Sequence, residues 1–181
     1  MPHDPLAAAR AGDGEAFIGL VRAHDPRLRR LAGRLVRDHA RVDDVLQEAY
    51  VRAFRAIGSF RADADLGTWL HRITYNCCID ELRRARRQPL HLAEPPERAA
   101  AGSGPGRQVT VQETVRAALA TLPEEQRVAV LLVDGNELDY DAAAEVLGIP
   151  RGTVTSRVSR ARQVLRARLA LDEEVPDDRR S

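Results

Sequence analysis

The segment from Arg151 to Arg168 concentrates side chains that bind nucleic acid: it holds six arginines, four small hydroxyl residues and no acidic residue. Guanidinium groups bind phosphates and base edges, and short hydroxyl side chains allow close approach to a DNA backbone. At helical spacing, one side holds Val154, Val158, Ala161 and Leu165, and the opposite side holds Gly152, Ser156, Ser159, Arg160 and Gln163. The pattern predicts a helix that packs through one face and contacts duplex DNA through the other.

Two helices and a tight turn are needed to position that face. Asp139 is a helix-capping residue ahead of an alanine-rich run that ends at Leu147, and Gly148 suits the left-handed end of a helix. Pro150 suits the start of a second helix, predicted from Arg151 to about Leu169. This order is typical of a helix-turn-helix that lays its second helix in the major groove. A helical hairpin with a solvated basic face is the alternative.

A second candidate nucleic-acid site lies on the helix predicted from Leu66 to Arg87. An apolar stripe comprises Leu66, Leu70, Ile73 and Cys77, and beside it lie Trp69, Arg72, Asn76, Asp80 and Arg83. An indole beside amide and guanidinium groups is a platform for an unstacked base. The alternative is that Trp69 belongs to the core. Six of the seven aromatic residues precede residue 76, so the first part of the chain alone has the means to stack bases.

A third candidate surface lies on the helix predicted from Arg41 to Ile57. Its apolar face comprises Leu46, Ala49, Tyr50, Ala53, Phe54 and Ile57, and its outer face comprises Asp44, Gln47, Glu48, Val51 and Arg55. The outer face is acidic at its start and basic near its end, as the helix dipole favours. It is predicted to be either an ordinary surface helix or a docking face for a protein partner.

The composition limits the other classes of function. A chain of 181 residues with 44% apolar and 30% charged residues is typical of a globular protein. It has no run of about 20 apolar residues and no signal-peptide core near Met1, so we expect a cytoplasmic protein without membrane insertion. Cys77 and Cys78 are expected to be reduced core residues. There is no phosphate-binding glycine loop, metal-ligand cluster or nucleophile with a suitable base, so we expect no enzyme activity, cofactor or small-molecule substrate.

The order of the elements predicts an all-α fold with two small helical domains, the second containing the helix-turn-helix. Three shorter helices are predicted before Arg41, spanning Leu6–Ala11, Glu15–His24 and Pro26–Val36. Residues 88–108 are rich in Pro, Gly, Ala and Ser, which predicts a flexible linker. After it we expect a helix from Val109 to Ala120 and another that opens at Pro123 and breaks at Gly135 and Asn136.

Three stretches in this order resemble the extracytoplasmic-function (ECF) group of bacterial sigma factors: DDVLQEAYVRAF at 43–54, GSFRADADLGTWLHRITYNCCIDELRR at 58–84, and LPEEQRVAVLLVDGNELDYDAAAEVLGIPRGTVTSRVSRAR at 122–162. The resemblance implies a sigma region 2 domain at 1–88, a flexible linker at 89–109, a region 4 domain at 110–171 and an acidic tail at 172–181. It also implies an initiation factor whose partners are core RNA polymerase and promoter DNA. An anti-sigma factor is an expected further partner.

The same resemblance assigns roles to individual positions. Contacts to the minus-ten element, including capture of a flipped base, are implied for Phe60, Arg61, Trp69, Arg72, Asn76 and Arg83. Contacts to the minus-thirty-five duplex are implied for Arg151, Thr153, Thr155, Ser156, Ser159 and Arg160. Docking onto the clamp helices of the largest polymerase subunit is implied for Asp43, Asp44, Gln47, Glu48 and Arg55.

A free-standing helix-turn-helix repressor or activator is the competing function. It would account for residues 122–168 through duplex binding alone. It would leave the aromatic loop at 58–65, the helix at 41–57 and the linker without a role.

Overall fold

The computed structural model describes residues 4–36, 38–61, 64–87 and 110–173, and all regular elements in these ranges are helical. The predicted all-α fold is confirmed. The described ranges contain nine α-helices: α1 (Pro5–Arg10), α2 (Gly14–Arg22), α3 (Asp25–Leu35), α4 (His39–Ala56), α5 (Leu66–Arg87), α6 (Val111–Ala120), α7 (Glu124–Asn136), α8 (Tyr140–Leu147) and α9 (Arg151–Glu173). A 3-10 turn at Ile57–Ser59 follows α4. The predicted linker at 89–109 and tail residues 174–181 lie outside the described residues, whereas Asp172 and Glu173 extend α9 beyond its predicted end.

Side-chain caps begin many of these helices. Asp4, Asp13 and Asp38 each accept a hydrogen bond from a backbone N–H in the first turn of α1, α2 and α4. Thr110 and Glu113 form a reciprocal capping box at the start of α6. Such caps satisfy N–H groups that have no partner within the helix, so they fix where each helix begins.

The first five helices pack around α4 and α5. Leu28, Leu31, Leu46 and Leu70 are fully buried between α3, α4 and α5. One predicted core residue of α4 is placed differently: Phe54 is 38% exposed and touches Phe17 edge to face, with ring centroids 5.2 Å apart. The helical period assigned Phe54 to the apolar face, but α2 covers only one side of its ring.

The helices α6, α7 and α8 pack against α9. Val154, Val158 and Ala161 are fully buried, as the period of α9 predicts. Gly135 and Asn136, where the sequence predicts a break, are the last two residues of α7, and the chain leaves the helix at Glu137, which takes the left-handed conformation with φ of 59°. The buried Asn136 amide group donates to the Leu131 carbonyl at 2.9 Å and so replaces contacts that water would make.

The two groups of helices also pack against each other, which the sequence did not predict. α3 lies against α7 and α5 lies against α8, so that apolar residues of both groups form one continuous core. The side of α5 that faces this junction carries small or polar residues, all of them buried: Gly67, His71, Thr74 and Cys78. Small residues let helix backbones approach closely, and this stripe was the signal that a second packing face existed.

Candidate nucleic-acid and protein interfaces

The helix-turn-helix has the geometry that its sequence predicts. Asp139 Oδ1 accepts a hydrogen bond from Ala142 N at 2.7 Å and caps α8. Gly148 ends α8 with φ of 65°, a left-handed conformation that costs glycine little. The Pro150 carbonyl then accepts from Thr153 N and Val154 N, which starts α9. A turn of three residues therefore sets the direction of α9.

The predicted reading face of α9 is open to solvent. Gly152, Thr155, Ser156, Ser159, Arg160 and Gln163 are exposed, and Thr153 is half-buried. The Thr155 hydroxyl donates to the Arg151 carbonyl at 3.1 Å, and the Ser156 hydroxyl donates to the Thr153 carbonyl at 2.9 Å. Each oxygen is thereby held close to the helix with lone pairs directed outward, where it can accept from base amino groups.

The arginines of α9 divide into structural and outward-facing ones. Arg162 binds Asp134 of α7 through two nitrogens, at 2.6 and 3.0 Å, and this carboxylate raises the pKa of its guanidinium. Arg157 pairs with Glu125 at 2.5 Å. Arg151 pairs with Asp141 at 3.2 Å and lies over the Tyr140 ring, whereas Arg160 is exposed on the reading face. Composition alone could not separate these roles, because each depends on an acid from another helix.

The start of α5 positions the only indole of the chain. Asp65 Oδ1 accepts from Thr68 N at 2.6 Å, and this hydrogen bond lowers the pKa of the Asp65 carboxyl. Trp69 is half-buried and packs on Phe60, with ring centroids 5.1 Å apart and planes tilted by 50°. Phe60 itself is only 3% exposed. Phe60 therefore supports the indole from below and does not present its own ring to solvent.

The remaining candidate residues of the minus-ten set are accessible. Arg72, Asn76 and Arg83 are exposed along α5, on the side that begins with Trp69. Arg61 is exposed in the preceding loop. The structure thus brings Trp69, Arg72 and Asn76 together on successive turns, while Arg83 lies two further turns toward the end of the helix.

An apolar groove between α2 and α4 is a candidate protein-binding surface. It encloses about 690 Å³, and its lining includes the exposed side chains of Ile18, Val51 and Phe54, which are 51%, 37% and 38% exposed. Asp43, Gln47, Arg55 and Arg29 also line it. The sequence had singled out polar residues of α4 but missed the apolar floor, because α2 supplies part of it.

The acidic residues of α4 have different surroundings. Asp43 pairs with Arg29 of α3 at the edge of the groove. Glu48 accepts from Arg52 at 2.7 Å, and Arg52 also reaches Asp80 of α5 at 2.9 Å. Asp44 is exposed beside the groove without lining it. Glu48 is therefore tied to a cross-helix ion-pair network, and changing it would also disturb the contact between α4 and α5.

The described residues contain no group of three or more potential metal ligands. Burial raises the pKa of the Cys78 thiol to about 12 and that of Cys77 less strongly, so both are protonated at neutral pH. None of the described helices combines the length and apolar character that a membrane crossing requires.

Comparison with known proteins gives the same two-part organisation. Models of Sigma-70 region 2 and Sigma-70 region 4 match residues 20–88 and 112–165. The ECF RNA polymerase sigma factor SigM of Mycobacterium tuberculosis is 44% identical over 165 residues, covering 91% of this chain and 81% of that protein. The RNA polymerase sigma-H factor of Pseudomonas aeruginosa is 35% identical, covering 85% of this chain and 86% of that protein.

Two solved structures resemble the fold as a whole. CnrH in complex with the cytosolic domain of CnrY has a TM-score of 0.70 at 27% identity, covering 93% of this chain and 96% of that one. The sigma factor RpoE of Bartonella quintana, in complex with the anti-sigma factor NepR, has a TM-score of 0.70 at 27% identity, covering 86% and 98%.

Proposed function

Since this chain belongs to the ECF group of RNA polymerase sigma factors, which direct transcription initiation, we propose that it binds core polymerase and reads promoters through α5 and α9. We place region 2 at residues 1–88, region 4 at 110–171, and the linker and acidic tail at 89–109 and 172–181. The members of this family are transcription regulators without enzymatic activity. The proposed role needs no cofactor, because recognition by hydrogen bonds and stacking makes and breaks no covalent bond.

In the proposed role, α9 reads the minus-thirty-five element as duplex. The observation that carries this assignment is the exposed strip of Thr155, Ser156, Ser159 and Arg160 on a helix whose opposite side is fully buried. Arginine is suited to the O6 and N7 acceptors of guanine, and oriented hydroxyls accept from amino groups in the major groove. Arg151 and Thr153, at the N-terminal end of α9, are placed to contact the phosphate backbone.

We assign the minus-ten element to α5 and the preceding loop. The proposed site comprises Arg61, Trp69, Arg72, Asn76 and Arg83, with Phe60 supporting the indole from the core side. The Asn76 amide can donate to and accept from the edge of a base that has left the stack. Arg72 and Arg83 supply positive charge along the path of the phosphates.

We assign polymerase docking to the groove between α2 and α4. Its apolar floor and mixed-charge rim suit an amphipathic helix, which inserts apolar side chains at every third or fourth position. Asp43, Gln47 and Arg55 lie at the groove, with Asp44 and Glu48 on the adjacent face of α4. An anti-sigma factor is proposed as a further partner because the Bartonella quintana neighbour was solved in such a complex.

Transcription reconstituted from purified parts tests this function. Core polymerase with the full chain is expected to give run-off transcripts from upstream regions of the organism's own genes, whereas core polymerase alone gives none. Duplex binding without polymerase retention on the tagged chain would instead support the free-standing repressor or activator.

A further inference from the structure

One residue on the polar side of α5 has no part in the proposed promoter contacts. The polar strip of α5 follows helical spacing and comprises Trp69, Arg72, Asn76, Asp80 and Arg83. Asp80 is its only acidic member. A carboxylate repels phosphate groups, so this position between Asn76 and Arg83 does not suit a path for the DNA backbone alone.

The Asp80 carboxylate is held through one of its two oxygens. Oδ2 accepts a hydrogen bond from Arg52 Nη1 of α4 at 2.9 Å, and Arg52 Nε also donates to Glu48 at 2.7 Å. The hydrogen bonds with Glu48 and with Asp80 raise the pKa of the Arg52 guanidinium. Asp80 Oδ1 has no hydrogen-bond partner in the part of the chain that the structure describes, and the side chain is 45% exposed. Arg52 therefore orients the carboxylate and leaves one acceptor accessible.

The next carboxylate along α5, that of Glu81, has a different environment. Its Oε1 pairs with Arg41 of α4, its Oε2 accepts from Arg84 at 2.8 Å, and its side chain is only 9% exposed. Both oxygens of Glu81 are thus used inside the protein. Asp80 also links α4 to α5, but its second oxygen is unused. A contact between the two helices does not need that second oxygen.

An accessible acceptor beside Asn76 suits a hydrogen-bond donor on an unpaired base. Asp80 lies four residues after Asn76, which is about 6 Å along the helix at about 1.5 Å per residue. This distance is less than that of two nucleotide steps of about 3.4 Å each. Adenine and cytosine carry an exocyclic amino group, from which carboxylates accept, whereas thymine has the O4 acceptor in the corresponding place. A base that has left the stack is read through this edge.

We propose that Asp80 is a specificity-determining residue of the minus-ten site: its Oδ1 accepts from the amino group of an unpaired adenine or cytosine, and Arg52 is the positioning residue that holds the carboxylate. This inference rests on the proposed promoter function of α5. It adds the class of base selected beside the base at Asn76. Thymine is rejected at that position, because its O4 would face the carboxylate with no hydrogen between the two oxygens.

An isosteric substitution tests the selection of the base. In Asp80→Asn, the amide oxygen should face the Arg52 donor, which turns the amide nitrogen outward and replaces an acceptor by a donor. Holoenzyme made from core polymerase and the full chain is titrated with pre-opened minus-ten templates that carry each of the four bases at each position in turn. At one position, wild type should favour adenine or cytosine over thymine by at least about fivefold, and Asp80→Asn should favour thymine. The same base preference in wild type and Asp80→Asn would overturn the proposal.

Two further variants separate base selection from the contact between α4 and α5. Glu81→Gln is the matched control, because it weakens the buried ion pair and should lower the unfolding midpoint while keeping the wild-type base preference. The charge reversal Arg52→Glu with Asp80→Arg retains an ion pair between the helices. It should keep the unfolding midpoint close to that of wild type but lose the preference for adenine or cytosine, since a guanidinium only donates.

The outcomes distinguish this inference from the proposed function on which it rests. If the charge reversal kept the wild-type base preference, Asp80 would have a structural role only and the proposal would be wrong. A wild-type holoenzyme that bound no pre-opened template and gave no run-off transcript would instead overturn the proposed function, and the inference about Asp80 with it.

Discussion

The two helices that carry the proposed DNA contacts, α5 and α9, have nearly the same length, 22 and 23 residues, but are buried very differently. α9 has one fully buried stripe and a broad exposed face. α5 is buried on two sides, one against α4 through Leu70 and Cys77 and one toward the second domain through His71 and Cys78. Between residues 66 and 82 of α5 only Arg72 and Asn76 are exposed, whereas residues 83–87 at its end are exposed throughout.

On α9, different residues carry DNA recognition and stability, whereas on α5 some of the same residues carry both. Surface changes usually alter the free energy of unfolding by no more than about 0.5 kcal/mol, so the reading face of α9 can vary without loss of the fold. On α5, the candidate base platform Trp69 is also part of the packing. Promoter specificity in region 4 should therefore be easier to change by mutation than in region 2.

The largest expected effect is the loss of stability in Trp69→Ala. Removing an indole that packs on Phe60 should lower the free energy of unfolding by about 3 kcal/mol, the lower part of the range for large aromatic residues, because Trp69 is half-buried. Asn76→Ala, an exposed neighbour on α5, should leave stability within about 0.5 kcal/mol of wild type. Urea unfolding followed by circular dichroism measures both.

The variants Trp69→Ala and Asn76→Ala also distinguish a packing role from a role in base recognition. On a promoter with a pre-opened minus-ten stretch, the cost of flipping a base is already met, so Asn76→Ala should still weaken holoenzyme binding. Wild-type affinity and base preference for Asn76→Ala on that template would remove Asn76 from the site. If Trp69→Ala proved as stable as wild type, the indole would not be a packing residue and α5 would resemble α9 more closely.

The groove between α2 and α4 is the proposed protein interface, and its exposed residues can be tested in the same way as those of α5 and α9. Val51→Glu places a charge on the exposed apolar floor and should weaken core polymerase binding by about 2 kcal/mol or more, roughly 30-fold, as expected for a central interface residue. Because Val51 is exposed, the helical spectrum and unfolding midpoint should not change. Val111→Glu, the same substitution at an exposed position of α6 that does not line the groove, is the matched control with a small effect. Unchanged affinity of Val51→Glu, measured by titration of labelled polymerase, would move the docking site away from this groove.

A smaller effect is expected on the reading face of α9. Arg160→Ala should cost about 1–3 kcal/mol of binding free energy on the preferred minus-thirty-five duplex and relax preference at one base position. Arg168→Ala, near the end of α9, should weaken binding little and equally on all sequences. Equal losses for Arg160→Ala across a set of single-base variants would identify a phosphate contact. Band-shift titrations at fixed salt concentration distinguish these outcomes.

The sequence predicted features that depend on residues close together along the chain, and it missed features that depend on distant ones. The Asp139 cap, the Gly148 turn and the buried stripe of α9 depend on neighbours within one or two turns, and these were predicted from spacing. The groove floor, the burial of Phe60 and the packing of α3 on α7 and of α5 on α8 depend on residues brought together from different helices. The continuation of α7 through Gly135 and Asn136 also has a tertiary cause, since Asn136 is buried against α5 and Gly135 leaves room for Arg34.

The smallest expected effect is a pH dependence of the free energy of unfolding, which should arise from a buried residue of α5 and not from the buried face of α9. Burial lowers the pKa of His71, and the hydrogen bonds of its ring to the Gly67 carbonyl and to the Asn136 side chain oppose this shift only in part. The unfolded chain, with a histidine pKa of about 6.5, then binds a proton more readily than the folded chain. Stability should therefore be fully present above about pH 6.5 and fall below it, by at most about 1.4 kcal/mol per pH unit.

The test of this pH dependence needs a control for the groups around the His71 ring. His24, Asp65 and Arg27 also act on this ring or lie beside it, so His24→Gln is that control. Urea unfolding at pH 7.5 and 5.5 should show a loss in wild type and in His24→Gln that is reduced in His71→Gln, because glutamine does not titrate. The buried stripe of α9 comprises Val154, Val158 and Ala161 and contains no titratable group, so it should contribute nothing to the pH effect. An equal loss in wild type and His71→Gln would assign it to carboxylates elsewhere.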